Sequence, residues 1–474
     1  MARPPALCLE RSYDLMVVNL VRGQLAVLYP VPGDFHLSWQ SSLLTSSSLV
    51  GALCGQLGLG YAADRLGRRR LLLISGALTT LGCVGSALAM DDGKPGHSLL
   101  WTTLITCRFI MGIGIGGEYP LSASHAAEHA KDGKESGNRL TSTFFFMGVG
   151  PVIAPLVVLA CQLGGASAGF TWRFAFLFGG AASAGALALR WFHATDSHRF
   201  KAVKAARERN KEEAAAATGR GEPAAAASAA SAAGHDVGTT RVLRTYWRPI
   251  LGTAGSWFLY DIVDYGLGLY SDDVVAVLGL ESVTGGNRTA ATTLGVLLVN
   301  LIALPGPLLT LWLLPRLGRK HTQQLGVGCM LGLYVIFAFS LSSPAQVAAH
   351  PQLIVFLFGL ATLADALGPG ACTYVIPGEL FPTCARATCH GLSAAAGKAG
   401  AALGASSFGT LLRASGLRGT FSVSALLAVA LLAHGAIFLP DYDDDTLAEL
   451  ERAHASGRAV QLLYQPQAYW ASGR

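Results

Sequence analysis

The chain has 474 residues, 51% of them hydrophobic and only 14% charged, with a formal net charge of +6 and a mean hydropathy of +0.43. Soluble domains carry about 25% charged residues, so this composition points to lipid as the solvent. Basic residues cluster between apolar stretches, at Arg65 to Arg70, Lys131 to Arg139 and Arg316 to Lys320, a pattern of juxtamembrane loops that speaks against a nucleic-acid surface.

A crossing helix needs about 20 mostly apolar residues. The spacing predicts segments centred on 13–29, 40–62, 70–90, 98–122, 139–162 and 170–191. After a polar interval come 249–271, 291–314, 322–342, 350–376, 391–413 and 420–439. The expectation is therefore an all-α membrane protein with six spans on either side of residues 192–248. The first span is the weakest, because Asp14 and Arg22 lie within it. Pro4, Pro5, Glu10 and Arg11 interrupt the apolar core that a cleavable signal peptide would need.

The interval 192–248 starts with a basic stretch, Arg199 to Lys211, that suits an amphipathic helix on the membrane surface. Residues 214–238, rich in alanine, glycine and serine, read as a solvated linker. Lys and Arg clusters follow alternate spans, which sets both termini on the cytosolic side. Asn287-Arg288-Thr289 then faces outward as a weak glycosylation match. The acidic run Asp441 to Asp445 with Glu449 reads as a solvated tail. Nine scattered cysteines form no metal spacing or disulfide framework and read as small packing residues.

An ionisable side chain within a span is costly and marks a translocation path. Asp261 is such a residue, and Trp257, Asp261 and Tyr265 fall at four-residue spacing on one helical face. An indole N–H, a carboxyl and a phenol suit an oxyanion, provided the acid is protonated. Asp264 lies one turn beyond Asp261. Glu118 and Tyr119 repeat this chemistry in the first half, behind Gly116 and Gly117. Arg108, ten residues earlier, suits a carboxylate partner inside the bundle. Asp14 is a proton-path candidate. Lys398 either attracts an anion or holds a carboxylate. Asp64, Arg65 and Arg68 form a latch between the second and third spans, and Glu379 and Arg386 bracket a short loop around Phe381-Pro382. No nucleophile–base–orienter group or metal cluster is legible, so neither an enzyme nor a cofactor is expected.

These motifs together resemble the phosphate:proton symporter family of the major facilitator superfamily. Gly60 to Arg70 resembles the superfamily loop between helices two and three. The signature GGDYPLSA appears as Gly116 to Ala123, with Glu118 in place of Asp. Trp257 to Asp261 followed by Tyr265 resembles the seventh-helix phosphate site, and Pro377 to Thr383, Arg386 to Gly391 and Gly397 to Gly400 resemble the region of helix eleven. The resemblance implies twelve helices in two six-helix bundles: 1–191 and 249–440, joined by a cytosolic loop 192–248 and followed by a cytosolic tail 441–474. It implies phosphate binding by Tyr119, Trp257, Asp261, Tyr265 and Lys398, and proton coupling by Asp14, Glu118 and Asp261. Asp64, Arg65, Arg68, Arg108, Glu379 and Arg386 take structural or gating roles. The partners are inorganic phosphate, protons and a bilayer, at the plasma membrane, with no obligate protein partner and no nucleic acid.

The chain departs from that pattern in several places. Gly148 and Gly370 stand where the family has amide side chains, Pro315 where it has an acid before the second GRK, and Arg11 where it has an Asp. The first helix begins about a dozen residues later than in the family. An organophosphate or sugar carrier, or a non-transporting phosphate sensor, are the alternative expectations.

Overall fold

The computed structural model describes residues 9–30, 38–94, 96–219, 239–268, 284, 286–340 and 351–466. The linker tract 220–238, the loop 341–350 and the far ends of the segments read at 249–271 and 322–342 lie outside them. All regular structure among the described residues is helical.

In chain order the first six helices are α1 (Leu9–Leu28), α2 (Trp39–Leu66), α3 (Arg68–Ala87), α4 (Ser98–Glu128), α5 (Gly133–Leu163) and α6 (Ala168–His193). Then come α7 (His198–Gly219) and α8 (Thr239–Thr245). The second half holds α9 (Trp247–Gly268), α10 (Arg288–Ala303), α11 (Pro305–Leu317), α12 (Arg319–Ser340), α13 (Pro351–Leu367), α14 (Pro369–Leu380) and α15 (Arg386–Phe438). Two short helices, α16 (Asp444–Ala455) and α17 (Ala459–Tyr464), follow.

Local chemistry sets these boundaries. Ser38, Asp132, Ser167 and Asn287 each accept a hydrogen bond from a backbone N–H in the first turn of α2, α5, α6 and α10. Gly67 and Gly318 end α2 and α11 with φ of 102° and 79°, a conformation that favours glycine. Each is followed by an arginine that opens the next helix, so Leu66-Gly67-Arg68 and Leu317-Gly318-Arg319 are one turn used twice. Gly416, at φ 63°, breaks the long α15 in two.

Nine helical segments among the described residues are long and apolar enough to cross a membrane. Two of the predicted spans, α1 and α9, are not in that set because polar residues dilute them. Two predicted spans are interrupted instead of continuous: α10 and α11 meet at Leu304–Pro305, and α13 and α14 at Gly368–Pro369. Proline at the first position of α11 and α14 is compatible with a helix start but removes an N–H from the ladder.

Two further expectations are corrected. α7 runs through the basic stretch but continues to Gly219, because alanine is the strongest helix former, so the linker begins later than residue 214. The acidic end is not merely solvated. Asp443 caps α16, Tyr442, Leu450 and Ala453 are buried, and Asp444 pairs with Arg319 at 2.8 Å.

Candidate functional site

A cavity of about 270 Å³ lies between the two halves. α1, α4 and α5 line it from one side, and α9 to α15 from the other. The approach of α9 to α15 depends on small residues. Gly397, Gly400 and Gly404 all face α9, and a Cβ on Gly397 would clash with the Trp257 indole. That closeness brings the Lys398 ammonium to 3.1 Å from Asp261 Oδ2 and 2.8 Å from the Tyr265 hydroxyl. Its Nζ also stands 4.2 Å from the Tyr265 ring centroid and 5.9 Å from that of Tyr119. The Trp257 indole hydrogen-bonds the same Asp261 carboxylate.

The residues expected to hold substrate are therefore brought together: Tyr119, Trp257, Asp261, Tyr265 and Lys398 all line this cavity. Lys398 is the lone cation among its described lining residues, and an anion entering there meets an ammonium, an indole N–H and phenols. Gly148 also lines it. A Cβ at that position would meet nothing nearer than Pro307 Cγ at 3.6 Å, so the missing side chain leaves open room. Gly370 differs, since a Cβ there would lie 2.9 Å from the Tyr260 hydroxyl and 3.1 Å from Phe144 Cζ.

Asp14 and Glu118 do not line the cavity; they are buried inside the first half. Glu118 forms ion pairs with Arg11 and Arg190, and Arg190 also binds Glu10 at 2.8 Å. The four charges make a paired network across α1, α4 and α6. Asp14 accepts from Ser183 Oγ at 3.1 Å and faces Arg108 and Cys83. Arg108 contacts the sulfur of Met111 at 3.3 Å and lies over the Phe176 ring.

Away from the cavity, two arginines cross reciprocally between the halves. Arg68 binds Asp64 at 2.9 Å and Glu128 at 2.7 Å, and reaches the Thr383 carbonyl of the second half at 3.0 Å. Arg319 binds Glu379 at 3.0 Å and reaches the Gly133 carbonyl of the first half at 3.1 Å. Asp64 in turn accepts from the Thr388 N–H at 2.8 Å and its hydroxyl at 2.7 Å, capping the first turn of α15 across the interface. Asp444 provides the acid that Pro315 cannot. Arg386 bonds the Phe381 carbonyl at 2.9 Å, whereas Arg65 lies over Tyr61 and joins none of this. Between latch and cavity lies a layer of Tyr119, Trp257, Tyr374 and His390, with Tyr374 bonded to Ser122 at 2.9 Å.

Sequence reasoning missed Glu10, Arg190, Glu128 and Asp365. The signal for Asp365 was present, a lone acid in the apolar run 352–367, as was the repeat of Leu-Gly-Arg that pairs Arg319 with Arg68.

The family profile described as Sugar (and other) transporter matches residues 11–454. The chain belongs to this family. It is 29% identical to the probable inorganic phosphate transporter 1-6 of Arabidopsis thaliana, over 93% of this chain and 90% of that protein. It is 30% identical to the low affinity inorganic phosphate transporter 4 of Lotus japonicus, over 83% and 79%. The repressible high-affinity phosphate permease of Neurospora crassa is 29% identical, over 93% and 83%. The chain is thus homologous to plant and fungal phosphate permeases. Its fold is that of the major facilitator superfamily. It superposes on the proton:xylose symporter XylE bound to 6-bromo-6-deoxy-D-glucose with a TM-score of 0.75, at 21% identity and 94% and 97% coverage. Against the inward open conformation of XylE from E. coli the TM-score is 0.62, at 94% and 97% coverage and the same identity.

Proposed function

We propose that the chain takes up inorganic phosphate together with protons by alternating access between two six-helix bundles. α1 to α6 form the first bundle. The second is α9, α10 with α11, α12, α13 with α14, and the two parts of α15 on either side of Gly416. Counting α1 and α9 as spans despite their polar residues gives twelve crossings. The boundaries then fall at 1–191, 192–248, 249–440 and 441–474, with both termini and the latch on the cytosolic face of a plasma membrane. In that orientation the latch contacts between the halves close the cavity toward the cytosol.

The observation that carries this reading is the Lys398–Asp261 ion pair facing the cavity. Lys398 cannot give its full charge to an incoming anion while Asp261 holds it. A proton on Asp261 from the outer side releases the ammonium and turns the carboxylate into a donor, so proton and phosphate bind together. Deprotonation of Asp261 on the inner side restores the pair and expels the anion. Proton entry also offsets the charge of the anion; 100 mV contributes about 2.3 kcal/mol per net elementary charge moved. Glu118, Asp14 and Arg108 lie off this path, and their proposed share is to relay protons or hold α1, α4 and α6 together.

A phosphate ester is the second reading, favoured by the open room at Gly148. Competition for labelled phosphate uptake in proteoliposomes separates the two. Displacement by phosphate but not by glycerophosphate or xylose supports inorganic phosphate; displacement by glycerophosphate at equal or lower concentration supports the ester.

A further inference from the structure

The cavity carries more negative charge than one anion site with one coupled acid requires. Lys398 meets the charge of Asp261, yet Asp264 on α9 and Asp365 on α13 also line the space. Asp365 is buried and accepts from the Tyr260 hydroxyl at 2.9 Å. Asp264 has no hydrogen bond or ion pair among the described residues; it stands within electrostatic reach of Asp261, Lys398 and Asp365. With all three acids ionised, dihydrogen phosphate would enter a cavity already in excess by two negative charges. Such an arrangement repels the substrate unless positive charge enters with it.

An independent observation marks where that charge goes. Tyr334 on α12 is 3% exposed and lines the same cavity, and its hydroxyl has no hydrogen-bond partner among the described residues. It faces both Asp264 and Asp365. A hydroxyl that is open to the cavity in this way, on an otherwise buried side chain, takes a ligand or ordered water as its partner. Asn300 on α10 spends its amide N–H on the Val296 carbonyl at 2.8 Å, which leaves Oδ1 as an acceptor on the cavity wall.

We propose that Asp264 and Asp365, with the Tyr260 and Tyr334 hydroxyls, form a second subsite that takes one small monovalent cation, a proton or a sodium ion, with each phosphate. The donors are all oxygen, which suits a hard cation. The groups facing it are Asp261 and Tyr265 of α9, Lys398 of α15 and Tyr119 of α4; α1 contributes only the uncharged Ser12, Met16, Asn19 and Leu20. The inference rests on the phosphate reading above and adds a cation to the one carried by Asp261.

The test is the number of cations moved per phosphate by the full chain in proteoliposomes, read from the gradient at which labelled phosphate flux reverses at clamped voltage. One arm varies pH in sodium-free buffer; the other varies sodium at constant pH. The wild type should move at least two cations per phosphate, and the double variant Asp264→Asn/Asp365→Asn at least one fewer. Dependence on pH alone assigns the subsite to a proton, and dependence on sodium assigns it to sodium. An unchanged number in the double variant overturns the subsite. A wild type that moves no phosphate under either gradient sinks the underlying reading, and this one with it. Should the variant bind without transporting, phosphate affinity in detergent decides. Wild-type affinity should gain a further factor of up to ten per tenfold rise in cation activity, relative to the double variant. Equal slopes overturn the subsite, and Asp264→Glu should keep the wild-type slope.

Discussion

Lys398 on α15 holds Asp261 on α9 in an ion pair of 3.1 Å, and both side chains face the space between the two halves of the molecule. The pair is nearly inaccessible, with side chains 3% and 2% exposed, so each partner's loss strands a buried charge. Substrate binding must therefore work against this pair or through it.

Lys398→Ala removes the cation that meets the anion. Hydrogen bonds to charged groups contribute about 1.5–3 kcal/mol, so phosphate should bind roughly ten- to more than a hundredfold more weakly. Equilibrium binding of labelled phosphate in detergent checks this, with thermal unfolding measured in parallel to separate lost binding from lost fold.

The two glycines that replace amide side chains should respond oppositely. Gly148→Gln has room and restores a donor, so phosphate affinity should rise by about the value of one hydrogen bond, roughly 0.5–1.5 kcal/mol. Gly370→Asn drives its Cβ against the Tyr260 hydroxyl and Phe144, disturbing the Tyr260–Asp365 bond. Its affinity and thermal stability should both fall. Binding isotherms of the two variants make the comparison.

The latch should set the resting conformation. Arg68→Ala leaves Asp64 and Glu128 buried without their cation, a loss on the order of 3–5 kcal/mol charged to the closed state alone if the carboxylates are hydrated on opening. The population should move toward inward open. Spin labels across the latch face would report this as a longer distance distribution than in the wild type.

Asp443 gives a pH dependence outside the membrane. The Thr446 backbone N–H and hydroxyl hold its carboxyl below the usual range by bonding the charged form. A lowered folded value means the cap contributes fully above the unfolded value of about 4 and is lost as pH falls through the folded one. Amide protection factors in the first turn of α16 should fall below pH about 4. Asp443→Ala should show that lower protection at every pH, at a cost of about 1 kcal/mol in local stability.

Much of the architecture was legible because lipid punishes polar residues. Apolar runs located the spans, and the few intramembrane acids and aromatics located Tyr119, Trp257, Asp261 and Tyr265. The role of Lys398 was not legible, since a lysine's long stem allows either an anion or a carboxylate partner and only packing of Gly397 against Trp257 decides. The surroundings of Glu118 were not legible for a related reason. Its neighbour Tyr119 turns to the cavity, while one residue of helical rotation sends Glu118 toward Arg11 and Arg190. Arg11 reads in the sequence as a break in an apolar core and a departure from the family pattern, and its partner Glu118 lies 107 residues later. Periodicity carries no information about pairs at that separation.

The central claim is that Asp261 couples protons to the anion, and one measurement addresses it most directly. Labelled phosphate accumulation is followed in proteoliposomes holding wild type or Asp261→Asn, with a pH gradient imposed at zero voltage. Wild type should concentrate phosphate against its gradient, whereas Asp261→Asn, folded and still exchanging phosphate, should accumulate it to a markedly lower ratio, having lost the proton carried at that position. Uphill accumulation by Asp261→Asn equal to that of the wild type would contradict the account.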